Sequence, residues 1–315
     1  MKLAILDDYQ NCALKLADWS RLNDRCSIVV FNEHLAYGDA LVERLREFDI
    51  LCVMRERTPL PRKLLEQLPD LKLVVSSGRR NAAIDTVAAK QLGITVTGTS
   101  IPGRSTAELT LALILALSRG LMDEHQSMRT GGWQRGLGRD VHGATLGVLG
   151  LGRLGSAVAE FGKVCGMQCI AWSQNLTEEH ARQVGVARVD KHELLTRSDF
   201  LTIHLRLSER TTGLIGAPEL ARMKPTAYLI NTSRGPIVDE AALLAALKKG
   251  GLAGAAVDVY DQEPLPAEHP FRGLPNLLCT PHIGYVTEQT YTVFYREMVD
   301  RVAAYLDGDG VPELN

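Results

Sequence analysis

The sequence predicts an α/β protein of two doubly wound domains, each a parallel sheet covered by helices. Three observations predict it. Short β-branched and leucine-rich runs alternate with longer segments of helical period along the chain, which is the rhythm of βαβ units. The alternation pauses near residue 100 and resumes, and 315 residues suffice for two domains of ordinary size. A glycine triplet also sits at one strand-to-helix junction of the second series.

In the first series, strands are expected at 3–6, 27–31, 50–54, 71–76 and 95–97. Each is followed by apolar residues at helical spacing, such as Leu41, Leu45 and Phe48 or Leu64, Leu65 and Leu68. Right-handed crossovers between such units make the sheet parallel. The pattern breaks at 98–103, after which Ser105-x-x-Glu108 reads as a capping box opening a helix that runs to Arg119. That helix is apolar nearly all round, so it is expected to be buried on all sides, as a core helix or as part of a subunit interface. A polar, glycine-rich stretch at 130–143 leads to the second series, with strands expected at 144–149, 168–172, 200–204, 227–231 and 253–257. The final helix, 288–306, has no strand after it and is expected to return to the N-terminal half. The domains are therefore expected at 1–100 plus 285–315, and at 101–284.

Composition narrows the function classes. Hydrophobic residues make up 45% and charged residues 23%, the balance of a globular chain. A formal net charge of −2 offers no basic field to nucleic acid or an anionic membrane. The six cysteines are scattered without a C-x-x-C pair, which reads as reduced thiols in a reducing compartment. The first residues lack the pattern of a signal peptide. The longest apolar stretch, 109–117, is far short of a membrane span. The expected location is the cytoplasm.

The strongest local signal is Gly150-x-Gly152-x-x-Gly155, directly after an apolar strand and directly before an amphipathic helix. In that context the mechanism is specific: Gly150 permits the tight turn, Gly152 admits a pyrophosphate, and Gly155 allows close helix–strand packing. The helix start then offers the N–H groups of Arg153 and Leu154 to phosphates. The expected fold of this half is thus Rossmann-like, with NAD or NADP as cofactor. About 20 residues further on, an acidic side chain usually takes the ribose hydroxyls of NAD. This chain has Ser173 there, followed by Gln174 and Asn175. No carboxylate repels a 2′-phosphate and no arginine is adjacent to bind one, although Arg206, at the end of a later strand, carries a suitable charge. The choice between NAD and NADP stays open at this level.

Three further segments follow strands at the side where parallel sheets bind ligands: 231–239 with Arg234, 257–264 with Glu263, and 280–284 with His282. Singly, each residue has a dull explanation as a surface charge, a loop acid or a turn histidine. Together they supply what reduction of a 2-oxo acid needs. A guanidinium fork holds a carboxylate and polarises a ketone, a protonated imidazole donates to the oxygen, and a carboxylate behind the imidazole fixes its tautomer. The remaining histidines considered (His125, His142, His180, His192, His204, His269) show no metal-ligand spacing, so no metal is expected.

As a set, the glycine triplet, Asn231–Asp239, Asp258-Val-Tyr-x-x-Glu263-Pro264 and Pro281-His282-Ile-Gly284 resemble the D-isomer-specific 2-hydroxyacid dehydrogenase family over essentially the whole chain. The resemblance implies two Rossmann-like domains with the active site in the cleft between them, closing on the substrate. It implies that Arg234 binds the substrate carboxylate and carbonyl, that His282 is the acid/base, and that Glu263 orients it. Asp258 would hold the nicotinamide carboxamide, Thr232 and Ser233 would contact the cofactor, and Thr106 would line its nicotinamide end. In the N-terminal half, Ser77 and Gly78 would cradle the substrate carboxylate through backbone N–H groups, and Arg55 would face the substrate. A homodimer is the expected assembly. Departures are Ser173 in place of the usual acid, Arg206 where proline is common, Arg79-Arg80-Asn81 in place of a glycine-rich turn, and Tyr285 in place of a frequent glycine. Two alternatives stand beside this reading: a formate- or phosphite-type dehydrogenase, and a cofactor-sensing regulator of the same fold.

Overall fold

The computed structural model describes residues 1–314 and divides into two compact units, Met1–Gly103 with the segment from Thr287 onward, and Arg104–Val286. In the first unit, β1 (Lys2–Ile5), β2 (Ser27–Val30), β3 (Ile50–Val53), β4 (Leu73–Ser76) and β5 (Thr95–Gly98) form one sheet in the order β2-β1-β3-β4-β5. Every pairing is parallel. All four residues of β3 and of β4 are buried, because crossover helices cover both faces of a parallel sheet. The chain reverses its winding between β1 and β3, so the loops that follow these two strands flank a switch point.

The last helix, Glu288–Asp307, belongs to this unit. It buries Tyr291, Phe294, Tyr295, Met298, Val299 and Val302 along one stripe. Its start is capped by the Thr287 hydroxyl, which accepts from the Thr290 N–H, and it ends at Gly308 with φ 79°. The tail then adds to the free edge of β5, where the Leu314 N–H donates to Val96 O at 2.9 Å.

The second unit carries β6 (Thr145–Leu149), β7 (Gln168–Trp172), β8 (Ala187–Arg188), β9 (Phe200–Ile203), β10 (Tyr228–Asn231), β11 (Gly254–Val257) and β12 (Leu277–Cys279). Their order is β12-β11-β10-β9-β6-β7-β8, again all parallel. The edge strands β8 and β12, of two and three residues, were not anticipated, since so short a run has no readable period. The parallel sheet puts the carboxyl ends of β6, β10, β11 and β12, and with them all the sequence motifs of this unit, along one edge.

The helix Ser105–Arg119 departs from expectation twice. Arg104 occupies the cap position with no side-chain cap bond, so Ser105 and Glu108 form no capping box: Ser105 is already inside the first turn. Burial is also one-sided. Ala107, Thr110, Leu113, Ile114 and Ser118 are buried, whereas Leu109, Leu111, Leu115 and Leu117 are only half-buried. The apolar girdle therefore covers the sheet with one stripe and leaves another partly open. No single helix among the described residues is long and apolar enough to cross a membrane.

Candidate active site

The glycine turn comes first because its geometry is the most constrained. Gly150 adopts φ 100°, and a side chain there would meet the His204 carbonyl at 2.9 Å. A Cβ on Gly155 would lie 2.0 Å from the Gly150 carbonyl oxygen, so the helix Arg153–Val164 packs on the turn closer than any side chain permits. Gly152, by contrast, faces open space with nothing within 4 Å of a built Cβ. A tight turn, a close-packed helix and an unfilled space at the helix start fit a dinucleotide pyrophosphate, which the first N–H groups of a three-turn helix stabilise. Beside the turn, His204 ends β9: its N–H donates to Leu149 O at 2.8 Å, and its Nε2 lies 2.9 Å from Thr202 Oγ1. Burial pushes its pKa down to about 4, so the ring is neutral under ordinary conditions. Half-buried Ser173 closes β7, and Arg206, beyond β9, is exposed with no side-chain partner among the described residues.

The neighbouring strands β10, β11 and β12 deliver Arg234, Glu263 and His282 in turn. Gly235 makes the first join: a Cβ there would stand 2.1 Å from the Tyr260 carbonyl carbon, so the loop after β10 lies directly on the loop after β11. Asn231 holds the Arg234 backbone, its side-chain amide donating to Arg234 O at 2.9 Å. The Arg234 guanidinium donates to Ser233 O at 2.7 Å. After β11, the Tyr260 N–H donates to Glu263 Oε1 at 3.0 Å, which leaves Oε2 for His282 Nδ1 at 2.5 Å. A carboxylate has only lone pairs to offer, so Nδ1 carries the proton in this pair. Nε2 has no protein partner among the described residues, and the imidazole side chain is 23% exposed, so one nitrogen is fixed and the other is open. Tyr285 meets the imidazole edge-on, with ring centroids 5.5 Å apart.

His282 has φ 53°, a left-handed backbone that a side chain with a Cβ rarely adopts. Asp258 accounts for it. The residue is wholly buried, and its carboxylate accepts from Thr280 Oγ1 at 2.6 Å, Ile283 N at 2.8 Å and Gly284 N at 2.8 Å. Burial pushes its carboxyl above the ordinary aspartate range, against the pull of those donors and of His282. From the other side, Thr106 Oγ1 donates to Gly284 O at 3.0 Å. The Tyr260 hydroxyl donates to Thr280 O at 2.9 Å. The loop 280–284 is thus tied down on both flanks of His282.

Two expected cofactor contacts have internal work as well. Thr232 Oγ1 lies 2.9 Å from Thr110 Oγ1 in a buried pair, and the Ser233 hydroxyl donates to Leu205 O. Thr110, Tyr260 and Thr280 were missed by sequence reasoning. Nothing marks a threonine inside an apolar helix as a partner, although Tyr260 was in reach, standing three residues before Glu263.

In the first unit the loops after β3 and β4 meet. Arg55, with φ 50°, lies across Gly78, where a Cβ would come within 2.0 Å of its Nη1. That guanidinium donates to Ser77 O at 2.9 Å, Arg80 O at 3.0 Å and Glu56 Oε1 at 3.2 Å. Its side chain is therefore engaged with the loop expected to cradle the substrate. The Ser77 N–H donates to Val53 O at 2.9 Å, and the Gly78 N–H donates to Thr99 Oγ1 at 2.7 Å. Both expected cradle donors are thus committed, and the loop's open N–H groups belong to Arg79 and Arg80. Both arginines are exposed, and their side chains have no partner among the described residues. Among the described residues no group of three His, Cys, Asp or Glu side chains is arranged to hold a metal.

A family model described as D-isomer specific 2-hydroxyacid dehydrogenase, NAD binding domain, matches residues 111–284. The chain belongs to the D-isomer specific 2-hydroxyacid dehydrogenase family. A glyoxylate reductase of Korarchaeum cryptofilum is 36% identical over 87% of this chain and 84% of its own length. A glycerate dehydrogenase of Methylorubrum extorquens is 36% identical over 86% of each chain. Among solved structures, a phosphoglycerate oxidoreductase of Vibrio cholerae aligns with a TM-score of 0.93 at 37% identity, covering 98% of this chain and 99% of the other. As a family member this chain is an oxidoreductase that binds a nicotinamide cofactor and moves a hydride between it and the 2-carbon of a 2-oxo or 2-hydroxy acid.

Proposed function

We propose that Arg234, Glu263 and His282 carry this reaction, reducing a small 2-oxo acid to a D-2-hydroxy acid. The observation that carries the assignment is the His282–Glu263 pair, 2.5 Å at Nδ1 with Nε2 open. When bound, a nicotinamide cofactor would supply the hydride to C2. Nε2 of the imidazolium then gives its proton to the carbonyl oxygen, and Glu263 holds the ring in the one tautomer that keeps Nε2 aimed outward. Arg234 takes the carboxylate and polarises the carbonyl, a charge-assisted contact worth about 1.5–3 kcal/mol in the ground state.

The unit 104–286 takes the dinucleotide through Gly150, Gly152, Arg153, Leu154 and Gly155, with Thr106, Thr232 and Ser233 toward the nicotinamide. The other unit takes the substrate on the loop 77–80, where the open N–H groups of Arg79 and Arg80 suit a carboxylate better than those of Ser77 and Gly78, and Arg55 holds that loop in shape. Ser173 in place of an acid, with Arg206 unpartnered, supports use of NADPH as well as NADH. Exposed Leu121, Met122, Met128, Trp133 and Leu137, with the half-open stripe of the helix Ser105–Arg119, support a homodimer, since a monomer rarely leaves so much apolar surface together.

Initial rates with glyoxylate, hydroxypyruvate, pyruvate and 2-oxoglutarate, each with NADH and with NADPH, test the proposal. Turnover is expected with at least one acid and both cofactors. No oxidation of either cofactor by any acid, in a protein that still binds them, removes the reading.

A further inference from the structure

We infer that His180 is a positioning residue for the dinucleotide turn: its ring holds the Leu151 carbonyl and thereby aims the Gly152 N–H at the pyrophosphate. The inference rests on the glycine turn as the pyrophosphate site, and it adds a residue that lies outside the glycine motif.

Three observations carry it. His180 Nε2 lies 2.8 Å from Leu151 O, the carbonyl between the first two glycines of the motif. A carbonyl oxygen only accepts, so Nε2 carries the proton and donates. The peptide that joins Leu151 to Gly152 is planar and trans, so its C=O and N–H point in opposite directions. Drawing the carbonyl toward His180 therefore turns the Gly152 N–H away from it. That N–H has no acceptor among the described residues, and a Cβ built on Gly152 meets nothing within 4 Å. A donor without a protein acceptor, beside open space at the start of the helix Arg153–Val164, suits a phosphate oxygen. The Ser156 hydroxyl gives the same carbonyl only a longer contact, 3.4 Å, so His180 is its main side-chain partner.

The ring is held from behind. His180 stands in the helix Glu178–Val184, its N–H donating to the capping Thr177 Oγ1 at 3.1 Å. Leu176 and Ala181, on either side of it, are buried in the same apolar cluster as Leu151. The Arg188 guanidinium donates to Leu176 O at 2.8 Å. These contacts fix the backbone without the imidazole, so replacing the ring spares the fold. The segment that leads to His180 starts at the end of β7, where Trp172 O accepts from the Gly150 N–H at 2.9 Å. One βα unit thus grips the turn twice, through its backbone at Gly150 and through the imidazole at Leu151.

The test compares His180→Ala and His180→Gln with the wild-type full chain. NADH dissociation constants are read by fluorescence titration, and those of ADP-ribose and adenosine by displacement of NADH. Loss of one hydrogen bond predicts NADH binding about three- to tenfold weaker in His180→Ala. The same loss is expected for ADP-ribose, which carries the pyrophosphate, and none for adenosine, which lacks it. His180→Gln keeps an NH₂ donor at the reach of Nε2 and is expected to restore NADH affinity to within about twofold. An equal loss for adenosine makes His180 a direct nucleoside contact and overturns the inference. Binding as weak in His180→Gln as in His180→Ala overturns it too, because the donor would then be irrelevant. Wild-type NADH affinity in His180→Ala, beside weakened affinity in Gly155→Ala, overturns the inference alone. Wild-type affinity in both variants overturns the reading of the turn along with it.

Discussion

His204 ties a titration to the integrity of the nucleotide platform. Its backbone packs against Gly150, the turn on which a pyrophosphate would rest, and burial holds its imidazole neutral down to about pH 4. In the unfolded chain the same ring takes a proton near pH 6.5. The unfolded state therefore binds the proton first, so the folded state is undisturbed above pH 6.5 and loses stability as pH falls from there toward 4. A wholly sealed ring would lose about 3 kcal/mol over that window. Because the ring is only half-buried by area, we expect about 2 kcal/mol. The perturbation is His204→Gln, which keeps a polar group beside Thr202 and does not titrate. Urea unfolding at intervals between pH 7.5 and 4 should show the wild-type midpoint falling faster than that of the variant, with the two curves parallel above pH 6.5. NADH affinity should fall with the wild-type stability over the same interval. Identical pH slopes for the two proteins would refute the argument, since they would mean the ring titrates alike folded and unfolded.

Other outcomes follow from the same geometry. Glu263→Gln keeps the size of the side chain but removes the charge beside His282 Nδ1; a hydrogen bond to a charged group is worth about 1.5–3 kcal/mol, so kcat should fall roughly 10- to 150-fold with NADH affinity unchanged, as stopped-flow and binding titrations would read. Gly155→Ala drives a methyl to 2.0 Å from the Gly150 carbonyl, so NADH affinity should drop at least about tenfold while circular dichroism still reports a folded α/β protein. The double variant Arg79→Ala, Arg80→Ala removes two unpartnered guanidiniums beside the proposed carboxylate cradle. It should lower kcat/KM for 2-oxoglutarate more than for neutral-tailed 2-oxobutyrate, and equal losses would mean the two charges do not meet the substrate tail.

Much of this protein is legible in one dimension because its rules are local. Both parallel sheets follow from strand-to-helix alternation, since a crossover between parallel strands needs a helix and takes one hand. The glycine triplet declares its turn because no other residue tolerates Gly150's φ or Gly155's approach to a carbonyl. Arg234, Glu263 and His282 were readable as a set, each following a strand at the ligand-binding side of the sheet. What stayed hidden depends on which partner each polar atom finds. The capping box at Ser105 failed because the helix begins one residue earlier than the motif implies. The all-round apolar helix proved one-sided, since periodicity reports composition and the sheet beneath decides which stripe is covered.

The sequence by itself determined the architecture, the nucleotide motif and which charged residues follow the strands at the ligand-binding side of the sheet, because backbone sterics and side-chain chemistry are properties of the residues alone. Only the tertiary structure decided how the polar atoms are spent. It committed the Ser77 and Gly78 N–H groups and left those of Arg79 and Arg80 open. It turned Arg55 onto its own loop and gave Asp258 three internal donors. Hydrogen-bond capacity is limited and its partners lie far apart along the chain, so that allocation exists only once the strands have brought the loops together.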